Sequence, residues 1–426
     1  MSNDPNHIIV FEHEVIRFDR PNHRGKQLSE VQFIALEKYF GTEGVPYFSL
    51  CYKGVRFNEH VGVIQIGKTL IEVLPKVDKD EKKETDWQKM LIGMLKAVHG
   101  FDVYSTSNSN LRIKHNSVLD LYFEMFLQET QYLLHRGLLK KYRKTAGNVL
   151  ALKGSLHFGK HIQQNLTHQE RFYVRHTTYD QEHLLHQILY KTICLLQKIN
   201  VNPNIQGTIG ALLLNFPEMP DVKVSAAMFE KLQFNRRNQH YRKAIDIAKL
   251  LLLQYHPDVS KGRNDVLALM FDMNSLWEKF VLVSLRKNKQ EGTSITDQTS
   301  KYFWQPENGY RFRIIPDIVI NKDKHDCIVL DTKWKNLGCY NPSPDDLRQM
   351  YVYHEYYGAV KVALVYPGVE AKPVSGKFLH PDMITDTNKT CSIITLAVES
   401  DIRKWQNIIC TKIHNWMKLP ETKNQI

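Results

Sequence analysis

Residues 311–320 and 327–333 are two apolar runs separated by the polar stretch Asn-Lys-Asp-Lys-His-Asp. This strand–turn–strand pattern constrains the fold more than any other part of the chain. The first run carries Pro316-Asp317 and the second Asp331-Thr332-Lys333. Ser343-Pro344-Asp345-Asp346 then starts a helix: serine caps it, proline takes the first helical position, and the acids meet the positive end of the dipole. The spacing predicts a helix over 343–357 ended by Gly358, and a further strand over 361–366. Before the strands, Asn274 or Ser275 is placed to cap a helix with Leu276, Phe280, Val283 and Leu285 on its apolar side. Residues 265–426 are expected to form an α/β domain.

The remainder divides into two regions. Residues 1–110 are read as a β-rich N-terminal domain, with strands over 47–52, 61–66 and 70–74. One helix over 29–40 interrupts them, and a charged stretch opens a second that runs to about His99. Residues 111–264 are read as a mainly helical middle region, with helices over 118–135, 181–199 and 243–253. Basic residues cluster there at Lys140-Lys141-Tyr142-Arg143-Lys144 and from Arg236-Arg237 to Arg242-Lys243. Either cluster suits phosphates, a protein partner or a solvated helix face.

The formal net charge of +12 favours a polyanionic partner, most simply nucleic acid. The six cysteines are scattered with no CxxC pair, which argues against a zinc site and a disulfide framework. The N-terminus lacks a secretory pattern and no apolar run is long enough to span a bilayer, so a cytoplasmic protein without a membrane partner is expected.

One motif must be set aside. Gly62-Val63-Ile64-Gln65-Ile66-Gly67-Lys68-Thr69 fits the letters of the phosphate-loop pattern. That pattern needs a flexible loop between a strand and a helix. Here the interior prefers an extended strand and another strand-like run follows, so a hairpin turning at Gly67-Lys68 is expected and no nucleotide site.

Asp331 and Lys333 are two apart on a strand and share a face, and an antiparallel hairpin brings Asp317 beside Asp331. Two carboxylates so close repel unless a cation lies between them, and hard oxygen donors suit Mg²⁺ or Mn²⁺. Such an ion polarises a phosphate and acidifies a bound water, while Lys333 orients that water or offsets developing charge. This is the PD…DxK arrangement of a metal-dependent nuclease. Glu278, from the preceding helix, is the candidate third acid, and Thr332 joins Asp317, Asp331 and Glu278 in the candidate metal set. Gln349 and Tyr353 lie four apart on one face of the 343–357 helix. Their QxxxY spacing resembles a motif that borders the active site in RecB-like nucleases.

Taken together, the segments resemble the McrC family, the nuclease subunits of McrBC restriction systems. The resemblance rests on Val61-Gly62-Val63-Ile64 leading to Ile71-Glu72-Val73-Leu74-Pro75-Lys76, and on Leu152-Lys153-Gly154-Ser155-Leu156 followed by Arg171 and Tyr179-Asp180. It continues through Phe271-Asp272-Met273-Asn274, Trp277-Glu278, Pro316-Asp317-Ile318-Val319, Leu330–Lys335 and Asp346–Tyr351. Ile315 and Trp334 depart from the family's usual Arg and Tyr or Phe, and neither is a metal ligand. The resemblance implies a C-terminal PD-(D/E)xK restriction-endonuclease-like domain that cuts DNA. It also implies an N-terminal part that engages an McrB-like AAA+ GTPase hexamer and stimulates it. GTP is then bound by the partner, and double-stranded DNA with modified cytosine is the target. Two other classes stay open: a non-catalytic subunit that regulates the GTPase and binds DNA, and a stand-alone repair nuclease that needs no GTP.

Overall fold

The paired apolar runs supply the second and third strands of a six-stranded mixed sheet. The computed structural model describes residues 6–76, 84–98, 117–256, 266–335, 337, 341–369, 371–380 and 386–419. In this sheet the strands run in the order Ile295–Asp297, Ile318–Ile320, Ile328–Thr332, Lys361–Gly368, Asp386–Ala397 and Val374–Leu379. Ile318–Ile320 pairs antiparallel with Ile328–Thr332, which pairs in parallel with Lys361–Gly368. Alternation sends Val362, Leu364 and Tyr366 toward Met350, Tyr353 and Tyr357 of the helix Pro344–Tyr357. Ala363 and Val365, on the other face, are equally buried, and helices Met273–Lys287 and Ile402–Lys418 cover that side. Trp277 and Trp405 stack there with centroids 5.5 Å apart.

Local signals explain the boundaries. Ser343 accepts the Asp346 N–H, and Gly358 ends its helix in the left-handed conformation. The helix 273–287 is capped by Asp272, two residues before the earlier of the two expected caps, because its carboxylate accepts the Ser275 N–H at 2.7 Å. The run 311–320 is two strands rather than one: Phe312–Ile314 belongs to a separate two-stranded hairpin with Lys301–Trp304. Pro316 divides them, since it has no N–H for a ladder.

The chain forms two compact units. The first joins Met1–Ile64 and Thr69–Asn110 to Met270–Ile426, so the β-rich N-terminal segment and the C-terminal α/β segment share one body. Strand His7–Phe11 runs parallel to Thr69–Leu74, beside a smaller sheet of Val15–Arg17, Gly54–Phe57 and Phe48–Cys51. Gly93, in the helix Glu84–Val98, shows why the segments fuse: a Cβ there would lie 2.0 Å from Ile402 Cγ1 of the C-terminal helix. Residues 77–83 of the charged stretch before that helix, and Cys339, lie outside the described residues.

The second unit is Gln65–Lys68 with Leu111–Leu269. Its core is helical, with Phe123, Phe126, Leu189, Ile193, Ile209 and Ile245 buried. It also contains a three-stranded sheet of Lys141–Val149, Phe172–Asp180 and Ser155–Leu156. The basic run 140–144 therefore enters a strand and is no helix face. Phe172–Asp180, rich in β-branched and aromatic residues, supplies its partner. Residues Gly67-Lys68 form the tight turn between His60–Ile66 and Thr69–Leu74, with Gly67 at φ 54°. Val63 and Ile64 are fully buried and Gln65 donates to the carbonyls of Gly67 and Ile199, so the phosphate-loop lookalike is a hairpin. No helix among the described residues is long and apolar enough to cross a membrane.

Candidate active site

The last antiparallel pair between Ile318–Ile320 and Ile328–Thr332 is Ile318 with Leu330. One step further, Asp317 stands across from Asp331, on the face that carries Val319 and Val329. Asp317 is held by the neighbouring strand: Thr332 donates both its N–H and its hydroxyl to Oδ2, at 2.7 and 2.8 Å. The Lys333 N–H continues the parallel ladder to Val365 O at 3.0 Å. Asp331 thereby sits on a strand paired on both sides, with Lys333 directly after it, which suits a site that needs fixed geometry.

Asp331 is 1% exposed, and Lys333 Nζ stands 2.7 Å from its Oδ2. That contact is an ion pair without good hydrogen-bond alignment, and neither carboxylate oxygen receives an aligned donor. Burial first, then the Asp317 charge, push the Asp331 carboxyl up to about 6, with Lys333 opposing. Glu278 lies half-buried on the helix 273–287 and is raised to about 7 by burial, then by Asp317 and, less, Asp331. Burial would weaken the Lys333 ammonium, but attraction to Asp331, Asp317 and Asp346 outweighs it and holds its proton more firmly. The cluster thus has acids that resist ionising together beside a lysine that stays charged.

The predicted neighbours take different places. Asp317, Asp331, Thr332 and Lys333 are brought together directly. Glu278 joins them electrostatically. Among the described residues, however, no three His, Cys, Asp or Glu side chains close into a group that could enclose a metal ion. Gln349 Nε2 donates to the Tyr353 hydroxyl at 2.7 Å, which donates to the Ile315 carbonyl at 3.1 Å. This pair fixes the backbone just before Pro316-Asp317.

Three further residues make contacts that carry no signal in the sequence. Gln298 has φ 44°, which is uncommon for a side-chain-bearing residue. Its N–H reaches Asp317 O at 3.3 Å, and its Nε2 reaches Glu278 Oε1 at 3.4 Å. Lys335 pairs with Asp346 at 2.7 Å. Trp334, directly after Lys333, donates its indole N–H to buried Glu12 at 3.0 Å, while Asn274 accepts its backbone N–H at 3.2 Å. Long-range contacts of this kind have no local pattern to read.

A family model described as McrBC 5-methylcytosine restriction system component matches residues 55–367. No curated protein sequence matches the chain. Among solved structures, the fold is similar to a chain in a half-complex from the tetradecameric assembly of Thermococcus gammatolerans McrB AAA+ hexamers with bound McrC. That match has a TM-score of 0.68 at 20% identity and covers 96% of this chain and 100% of that one. A chain of the Thermococcus gammatolerans McrBC complex matches with a TM-score of 0.47 at 20% identity, over 66% of this chain and 88% of that one.

Proposed function

The chain belongs to the family of McrBC 5-methylcytosine restriction system components, and on that premise we propose that it is the subunit that cuts DNA. The reaction is metal-dependent phosphodiester hydrolysis at Asp317, Asp331 and Lys333, in a C-terminal region of the PD-(D/E)xK type. The observation that carries the proposal is the buried Asp331 carboxylate, whose one close cation is Lys333 at 2.7 Å and which the Asp317 charge pushes upward. A buried carboxylate without aligned donors costs stability unless something else completes it.

The donor set suits a divalent cation: Asp317 and Asp331 would hold Mg²⁺ or Mn²⁺, with Glu278 as the outer acid. When bound, such an ion polarises the scissile phosphate and lowers the pKa of water. The protein's own groups do the rest. Thr332 fixes Asp317 Oδ2. Lys333, kept protonated, places positive charge where negative charge grows on the phosphate. Tyr353 and Gln349 act as positioning residues through Ile315 O.

The same reading includes an McrB-like AAA+ GTPase ring as partner, with GTP bound there, and double-stranded DNA carrying modified cytosine as substrate. The similarity in fold to a chain from an assembly of McrB hexamers with bound McrC supports the partner. That Gly67-Lys68 is a tight turn between two strands, and not a loop leading into a helix, supports placing GTP on the partner. The test is cleavage of methylated and unmethylated plasmid with Mg²⁺, GTP and the GTPase each added or omitted. Cleavage is expected only with all three and methylation. Cutting without the GTPase would indicate a stand-alone nuclease. GTPase stimulation with no cutting under any condition would indicate a regulator.

A further inference from the structure

The hairpin of Lys301–Trp304 and Phe312–Ile314 is a two-stranded sheet by itself. Isolated hairpins are marginal in water, so its base must be held by something else. Lys301 Nζ donates to Tyr356 O at 2.8 Å, Phe303 packs edge-on against Tyr356, and Tyr357 donates to Thr299 O at 2.5 Å. The hairpin is thus rooted on the same helix whose Tyr353 fixes the approach to Asp317.

Beyond that root it is exposed. Trp304 is 54% exposed, Phe312 62% and Tyr310 94%. Trp304 and Phe312 pair across the strands with centroids 5.5 Å apart. Arg311 and Arg313 both lie over the Tyr302 ring, at 5.2 and 4.8 Å from its centroid. The only hydrogen bond of either guanidinium among the described residues is from Arg313 to the Tyr302 hydroxyl, at 2.8 Å, and neither meets a carboxylate. Two cations held over one ring repel each other, and the ring offsets that only in part. Such a pair awaits an anion. Ile314 precedes Asp317 by three residues, so the root of the hairpin lies within roughly 10 Å of Asp317 along the chain. That is about three base steps of duplex DNA.

We propose that this hairpin is a DNA-contacting arm: Arg311 and Arg313 bind phosphates of the duplex beside the scissile one, and Trp304 and Phe312 press against the groove. The proposal rests on the DNA-cutting reading above. Phosphate contacts position a duplex, and apolar side chains fill the groove wall.

The test uses full-length protein assembled with its GTPase in an Asp331→Asn background, binding a labelled methylated duplex at several salt concentrations. R311Q/R313Q is expected to weaken binding about tenfold and to flatten the log–log salt slope by about 2, the value for two phosphates. W304A/F312A is expected to weaken binding without changing the slope. Should the aromatic variant unfold the hairpin, the arginine variant still decides, because its side chains are exposed. Unchanged affinity and slope in R311Q/R313Q, while the parent binds and the wild type cuts, would overturn the arm and leave the nuclease reading intact. Loss of self-association with unchanged DNA affinity would also overturn it, by identifying a second copy as the occupant. A wild type that never cuts would instead break the underlying reading.

Discussion

Two clusters of acids and a cation illustrate opposite uses of the same chemistry. In the helical unit, Arg143 donates to Glu182 at 2.9 and 2.7 Å and to Asp180 at 3.0 Å. The Arg143 hydrogen bond holds the Asp180 carboxyl below its usual range, so charge is favoured there. In the sheet unit, Asp331 and Glu278 are pushed upward and Asp331 lacks aligned donors. The first cluster is at rest. The second holds repulsion that a bound cation would relieve, as the proposed site requires.

The largest effect that would break this comparison is on cleavage. Lys333→Ala is expected to lower the rate about 1000-fold, in the range for removing a group that stabilises transition-state charge. Single-turnover cleavage of methylated plasmid measures it. A loss under tenfold would place Lys333 with Arg143 as a structural partner. Chelation of divalent metal with EDTA is expected to remove cleavage altogether, and added Mg²⁺ to restore it.

Glu12 sharpens the comparison, because it is buried and yet has partners. The Lys76 N–H, at 2.6 Å, and the Trp334 indole both donate to it, but burial outweighs them and raises its carboxyl to about 7. A carboxyl raised on folding adds stability that is fully present below its ordinary value of 4.5 and is lost as pH rises through about 7. Melting temperature in EDTA is therefore expected to fall between pH 5 and pH 8. Glu12→Gln should flatten that fall, by at most roughly 3 kcal/mol at ~1.36 kcal/mol per pKa unit. An identical slope in both proteins would remove Glu12 as a contributor.

Tyr353→Phe is a smaller change. Losing the hydrogen bond to Ile315 O should cost about tenfold in cleavage rate, since a buried hydrogen bond contributes about 1–1.5 kcal/mol. As a positioning effect it should leave the Mg²⁺ concentration for half-maximal rate unchanged. A shift in that concentration would assign Tyr353 to the metal instead.

Much of the site is legible along the chain, because a strand's period and a hairpin's turn bring Asp317, Asp331 and Lys333 together by local rules. The helix of Gln349 and Tyr353 follows equally from Ser343, Pro344 and Gly358. Other features depend on distant contacts. Glu12 meets Trp334 across more than three hundred residues, and Gly93 admits Ile402. Strand Lys141–Val149 has few apolar residues of its own and forms because Phe172–Asp180 pairs with it. Its basic letters therefore resemble a helix face until the partner is known. The aromatic arm was hidden because residues 311–320 read as one continuous strand until Pro316 divides them.

The smallest effect tests the comparison most directly, because the two clusters should respond with opposite sign. Arg143→Ala removes a surface-accessible partner from two acids and is expected to lower the melting temperature slightly. Asp331→Asn removes a buried charge that repels Asp317 and Glu278, and is expected to raise the melting temperature of the metal-free protein, by a stabilisation on the order of 1 kcal/mol after the loss of the Lys333 pair. Excess Mg²⁺ should then stabilise the wild type and leave Asp331→Asn unmoved. If Asp331→Asn melts lower than the wild type in EDTA, the Lys333 ion pair outweighs the repulsion. The Asp331 cluster would then be at rest like that of Arg143.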